Sequence, residues 1–534
     1  MRKWNGWGDE STDFPASTSV TVFLKKVLGE AKALPDAVHA DVLALVPTSR
    51  LPAHPLIKTD AAIRLMHARG QSLPDWLALR SGDIGIFPDG VAEPETGAEV
   101  RQLLDFVRQH DLVLIPYGGG TSVAGHITPL VDKRPVLTLS LARMNRLLAL
   151  DRDSQLATIG AGANGPRVEA LLNEQGYTLG HFPQSFELST LGGWVVTRSS
   201  GQQSLRYGRI EQMFAGGTLE TLQGSLELPT FPASSAGPDL REIVLGSEGR
   251  LGVLTDVKVR VARLPEAEEF HVFFLPDWER ASTAMREVAQ RRLPLSMMRL
   301  SNAEETRTQL ILAGHERAVA MLDRVLRLRG AGDGRCMMTV GLTGSKDGIS
   351  FSRQQLKKIL KTYGAVATGQ LLGKKWLANR FKAPYLRESL WKLGYAVDTL
   401  ETAVDWPKVT STIANIETAL REGLKDEGET VLAFTHLSHL YAQGSSIYTT
   451  YAYRVGSDYA QTLARWKKLK EAASQEIVKA GGTISHQHGV GRDHAPYLPA
   501  EKGELGMRTL QALCHHFDPD GRLNPGKLLL DEKA

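Results

Sequence analysis

At 534 residues the chain is too long for one hydrophobic core, so two or three domains with a ligand site between them are expected. A hydrophobic content of 42 % and a charged content of 23 % exclude a mainly disordered or fibrous chain, and a net charge of +4 decides little about partners. Its two cysteines, Cys336 and Cys514, offer no zinc-ribbon, iron–sulfur or disulfide spacing, no apolar run approaches the roughly eighteen residues of a membrane span, and Met1 to Glu10 lacks an apolar signal segment. A reducing, cytoplasmic setting is the expectation.

Residues 1–90 are rich in Pro and helix-like stretches, with an aromatic opening, Trp4-Asn5-Gly6-Trp7, that reads as packing. Between Glu99 and His110 the apolar residues Val100, Leu103, Leu104 and Val107 fall at helical spacing, and Leu112 to Pro116 then reads as a short buried strand. That strand feeds a glycine loop, Pro116-Tyr117-Gly118-Gly119-Gly120-Thr121-Ser122-Val123. Successive glycines followed by Thr and Ser can turn backbone N–H groups and hydroxyls toward a diphosphate, although a plain tight turn reads equally well.

A second strand (Leu156 to Ile159) and helix (Arg167 to Gln175, opened by Pro166) follow, suggesting a mixed helix and sheet domain closed by the strand-like Val253 to Val261. Between them Gly160-Ala161-Gly162-Ala163-Asn164-Gly165 matches a dinucleotide fingerprint, but no acidic residue closes a second strand about twenty positions on, so the fingerprint is read as a decoy. Arg263 to Glu266 marks a boundary. Residues 266–480 alternate helical segments (Arg280 to Arg291, Glu316 to Leu328, Ser352 to Tyr363) with short strand-like runs, and 481–534 are dense in Gly, His and Pro.

The glycine loop, Gly180 to Ser185, Ser189 to Gly201, Leu245 to Thr255, Glu401 to Trp406 and Ser485 to Gly491 form a set of blocks spread over most of the chain. Together they resemble the vanillyl-alcohol-oxidase (PCMH) type of FAD proteins, and within it the alkyldihydroxyacetonephosphate synthase family. The resemblance implies an α+β chain: an N-terminal helical region (1–90), a two-subdomain FAD domain (91–265), an α+β cap domain (266–480) and a C-terminal segment (481–534) returning to the flavin. It places the glycine loop on the diphosphate, with Gln184, Ser185, Ser189, Thr190, Thr197, Arg198, Ser199, Ser200, Glu248, Gly249, Leu251, Gly252, Val253, Leu254 and Arg299 around the rest of the cofactor. No histidine or cysteine clearly occupies a flavin-linking position, so non-covalent FAD is expected.

The same resemblance implies exchange of the acyl chain of an acyl-dihydroxyacetone phosphate for a fatty alcohol, the flavin acting as a trap without net redox change. Tyr448 would be general base and acid, Arg387 the phosphate cation, and His181, His486 and His488 active-site histidines. On the residues alone, Tyr448 beside Tyr451 and Tyr453 reads as packing, Arg387 as a solvated helix arginine, and Arg299 as a salt-bridge member. Gln487 interrupts the family's run of three histidines, and His436 replaces an arginine. Related 2-hydroxyacid dehydrogenases carry a metal-binding carboxylate where Gln487 stands. His436 and His439 therefore lack an acidic ligand in sequence, and no catalytic metal is expected. An FAD-linked dehydrogenase or oxidase of a hydroxylated substrate is the alternative. The expected partner is a small molecule or lipid, with no nucleic acid and with a homodimer left open. The basic–aromatic stretch from Lys374 to Lys392 fits peripheral membrane contact or an ordinary amphipathic cap helix.

Overall fold

In a computed structural model, residues 2–312 and 316–530 are described. The helix anticipated from apolar spacing runs Gly97–Gln109, with Val100, Leu103, Leu104, Phe106 and Val107 buried and the Thr96 side chain accepting from Glu99 N–H at its start. Each such side chain contributes about 1.5–3 kcal/mol by leaving water. The strand that follows, Val113–Tyr117, lies parallel to Val136–Ser140, which in turn runs parallel to Gly90–Ala92. With Ile57–Lys58 these form a four-stranded sheet.

A second sheet orders its strands Leu147–Asp151, Leu156–Gly160, Val253–Arg260, Phe214–Thr221 and Gly224–Leu228. Every pairing in it is antiparallel. This settles the fingerprint at Gly160 to Gly165: the strand before it has antiparallel neighbours on both sides, so no parallel crossover unit exists there. Gly162 is required for packing instead, since a Cβ would stand 1.7 Å from the Leu141 carbonyl oxygen.

The third sheet has seven strands, in the order Val366–Ala367, Ala267–Leu275, Cys336–Gly344, Met297–Ser301, Leu432–Leu437, Gly444–Arg454 and Tyr395–Asp405. All of its pairings are antiparallel. The long final pair matches Glu401 with Tyr448 and Asp398 with Tyr451. Since side chains alternate along a strand, these two pairs project to opposite faces.

The C-terminal tail returns to the first sheet. Leu114 donates to the Arg522 carbonyl and accepts from Asn524 N–H, each at 2.8 Å. Cys336 and Cys514 are both buried, and neither is in a disulfide. Among the described residues no helix is long and apolar enough to cross a membrane.

The Lys374 to Lys392 stretch forms two helices, Leu371–Asn379 and Ala383–Trp391, whose aromatic side chains face inward. Trp376 lies 5.2 Å from Phe270, Phe381 stacks on Phe186 at 4.8 Å, and Trp391 is buried. These contacts take up part of the aromatic surface, with Trp376 and Phe381 half-buried, while Leu371, Lys374 and Lys375 stay exposed.

Candidate active site

The glycine loop has two constraints on it. A Cβ on Gly119 would stand 1.9 Å from the Leu188 carbonyl oxygen, and Gly120 sits at φ +68°, the left-handed region that favours glycine. Among the described residues no acceptor takes the backbone N–H groups of Gly119 to Val123. A succession of unpartnered N–H donors behind a strand fits a diphosphate. Beside the loop, Thr190 Oγ1 is buried without a partner. Arg2, unnoticed in the sequence, donates from Nη2 to the Gly119 carbonyl at 2.7 Å and so fixes the turn from outside.

Many other residues expected around the cofactor use their side chains within the protein. Pro116 and Tyr117 end the strand, with the Tyr117 ring 4.4 Å from His67. Ser122 Oγ is 2.5 Å from His126 Nδ1 and also accepts the His126 N–H. Thr121 is half-buried in the same loop, and Ser185 gives its carbonyl to Ser189 Oγ, which also accepts from Trp194 Nε1 at 2.7 Å. Thr197 caps its own helix through Gly193, Gln184 donates to the Arg380 carbonyl, and Arg198 turns outward to Glu242. Leu251, Val253 and Leu254 are core side chains, and Gly249 and Gly252 shape the turn before them.

Glu248 is a clasp. Its carboxylate accepts from Val490 N–H at 2.5 Å and Gly491 N–H at 2.8 Å, and lies 3.0 Å from His126 Nε2. It therefore ties the C-terminal histidine loop to the FAD side. Burial alone would lower the His126 pKa, but the Glu248 carboxylate reverses this and leaves it raised.

On the cap side, Tyr448 stacks on His436 at 4.8 Å and 22°, and meets His488 edge-on at 5.8 Å. Burial raises the Tyr448 hydroxyl above its ordinary value and lowers both His436 and His488. Behind them Arg299 pairs with Glu305 at 2.5 Å, and His436 Nδ1 is 3.1 Å from the same carboxylate oxygen. Although burial opposes it, the contacts from His436 and Arg299 hold Glu305 down at about 2. Arg299 is thereby a support for the His436 and Tyr448 stack.

His486 is held on both ring nitrogens. Nδ1 lies 3.1 Å from Glu401 Oε1, while Tyr441 Oη and Arg209 Nη1 stand 2.7 Å from Nε2. His439 rests with Nδ1 3.1 Å from the hydroxyls of Ser200 and Ser204, and burial, followed by the nearby His486, pushes its pKa down to about 3. Glu401 puts a carboxylate oxygen within 4.8 Å of His439, one of the two histidines read as lacking an acidic ligand. It escaped sequence reading because it comes from the neighbouring strand, and only the register brings it to the histidines. Arg209 at a helix start, Glu305 in helix Ala303–Leu312 and Tyr441 in a turn were missed because only the tertiary fold brings them to the histidines, although Glu401 lies in a block that had been singled out.

Two candidates stand apart. His181 is fully buried, 4.7 Å from Trp194 with Nε2 3.2 Å from Ser199 Oγ, and burial lowers its pKa to about 3. Arg387, in helix Ala383–Trp391, donates from Nη1 to the Gln71 carbonyl at 2.6 Å with its guanidinium 4.9 Å over Trp76. Its Nε and Nη2 are buried without partners. Among the described residues, no hydrogen bond, ion pair or ring contact joins either residue to Tyr448.

Residues 88–227 match the model of an FAD binding domain, and residues 264–528 match the C-terminal domain of FAD linked oxidases. The loop and these matches define a two-domain, FAD-binding flavoprotein. Alkyldihydroxyacetonephosphate synthase of Dictyostelium discoideum is 31 % identical, over 99 % of this chain and 93 % of that one. The enzyme of the same name from Caenorhabditis elegans is 29 % identical, over 97 % and 93 %. A solved alkyldihydroxyacetonephosphate synthase structure superposes with a TM-score of 0.84, at 29 % identity and 98 % coverage of each chain. The chain belongs to the alkyldihydroxyacetonephosphate synthase family.

Proposed function

We propose that this enzyme is an FAD-dependent transferase that replaces the acyl chain of an acyl-dihydroxyacetone phosphate by a fatty alcohol, yielding an ether-lipid precursor. The observation that carries this reading is Arg387. A buried guanidinium with Nε and Nη2 unused and, among the described residues, no carboxylate in an ion pair with it suits a phosphate dianion, which takes forked hydrogen bonds; a neutral alcohol does not compensate the charge.

FAD, held at the N–H groups of Gly119 to Val123 and by Thr190 Oγ1, supplies the electron-accepting ring system when bound. Tyr448 enters the reaction protonated, because burial disfavours the phenolate. It therefore acts first as a donor. The neutral His488 at its edge is the proton acceptor, so the base role implied for the tyrosine passes to an imidazole. His436, fixed by Glu305 and Arg299, sets the Tyr448 ring plane. In the exchange the fatty acid leaves as a carboxylate, the alcohol oxygen takes its place on carbon, and the net electron count is unchanged. Long-chain substrates arrive by peripheral contact with a lipid surface through exposed residues such as Leu371 and Lys374, at the outer end of the cap helices.

The test is an Arg387→Met variant, assayed with palmitoyl-dihydroxyacetone phosphate and with its dephosphorylated analogue. KM for the phosphorylated substrate rises at least about thirtyfold, as expected when one partner of a buried charge pair is removed, while the analogue is used equally poorly by both proteins. Wild-type enzyme that handles the two substrates alike contradicts the assignment.

A further inference from the structure

Glu401, His439 and His486 come from three separate pieces of chain: the edge strand Tyr395–Asp405, the turn after Leu432–Leu437, and the loop beyond helix Tyr459–Ala480. Each offers one ligating atom within 4.8 Å of the other two, and all three are buried. Both imidazoles are anchored through their far nitrogens. The hydroxyls of Ser200 and Ser204 occupy Nδ1 of His439, leaving Nε2 as its inward atom. The Tyr441 hydroxyl and Arg209 occupy Nε2 of His486, leaving Nδ1 inward against Glu401.

The Glu401 carboxylate is only half satisfied. Its Oε1 accepts from Ser438 Oγ at 3.3 Å and faces His486, whereas Oε2 is buried with no hydrogen-bond partner. An ionised oxygen left so is costly, and a cation relieves the cost. Two imidazoles and one carboxylate, each ring held from behind, form the donor set of a tetrahedral zinc-type ion with an open fourth position.

We propose that Glu401, His439 and His486 bind one divalent transition-metal ion of the Zn2+ type, beside Ser200, one of the residues expected at the cofactor. Without the ion, Arg209 makes Nε2 of His486 an acceptor and the ring proton sits on Nδ1. Binding moves that proton to Nε2, where the Tyr441 oxygen accepts it. Arg209 gives up its bond to Nε2 and turns that N–H away, keeping its bonds to the Arg198 and His486 carbonyls at 3.2 and 3.0 Å and to Tyr441 Oη at 3.0 Å. The inference does not rest on the transferase reading, and its readout is metal content, so either can fail alone.

The FAD-loaded full-length protein is treated with chelator, dialysed against ZnCl2 at about 10 µM free Zn2+, and its metal counted by plasma mass spectrometry. Wild type retains about one Zn2+ per chain, and Glu401→Gln and His439→Gln each weaken binding at least about tenfold, with flavin absorbance and Tm as controls on the fold. A double His515→Gln, His516→Gln variant at the exposed histidine pair keeps its zinc. Should Glu401→Gln fail to fold, zinc-edge X-ray absorption on wild type alone decides: two imidazoles and an oxygen at about 2.0–2.2 Å support the site. Wild type that takes up no zinc, uptake unchanged in both folded variants, or a first shell without two imidazoles overturns it.

Discussion

The glycine loop and the Tyr448 cluster are assembled in opposite ways. The loop is contiguous, from Pro116 to Val123, and its unpartnered N–H groups follow from a backbone path that three successive glycines permit. The cluster draws Tyr448, His436 and His439 from one hairpin region, Glu401 from the next strand, Glu305 and Arg299 from a third region, and His486 and His488 from the C-terminal loop. A local anion site can thus be built from sequence-adjacent residues, whereas an acid–base site here depends on strand register, and a one-residue slip would turn Glu401 away from Tyr448.

The sharpest way to separate the two regions is to disable each alone. Tyr448→Phe removes the proton donor and nothing from the loop, so kcat falls by about a thousandfold while FAD content and KM stay close to wild type. Equal loss of bound flavin in that variant would show that the two regions are not independent. Gly119→Ala does the reverse. With the Leu188 oxygen in the way of a Cβ, it costs about 3 kcal/mol, read as a lowered Tm and as protein that purifies without its yellow colour.

How much could be read beforehand follows the same division. The helix at Gly97–Gln109, the strand into the loop and the loop itself were legible because period, cap and glycine signals all lie within a few residues. Val253 to Val261 was also legible as a strand. That its sheet is antiparallel was not, because pairing direction has no local signal. Ser122, Ser189, Thr197 and Arg198 show a related limit: the resemblance places them around the cofactor, yet their side chains satisfy the protein's own hydrogen-bond needs. His126 proves to be the partner of Glu248, which lies 122 positions further along the chain. Glu401 shows the limit most clearly, since an acidic ligand was sought near His439 and found across the sheet.

The clasp between His126 and Glu248 joins the two regions and gives the smallest predicted effect, about 1 kcal/mol. The folded-state pKa of His126 is raised, so its contribution to stability is fully present below the ordinary imidazole value and is lost as pH rises through the higher folded value. Tm measured from pH 5 to 9 should therefore decline on the alkaline side more in wild type than in His126→Gln, in about a one-unit-wide step. Parallel profiles would remove the clasp from the account.

The central claim is a group exchange without net redox change, and it is tested most directly by anaerobic incubation of the purified protein with palmitoyl-dihydroxyacetone phosphate and hexadecanol, with no electron acceptor present. The account predicts one palmitate released for each hexadecyl ether formed over many turnovers, with the flavin returning to its oxidised spectrum. Turnover that stops after one flavin equivalent and resumes only when an electron acceptor is added would contradict it and mark the protein as a dehydrogenase.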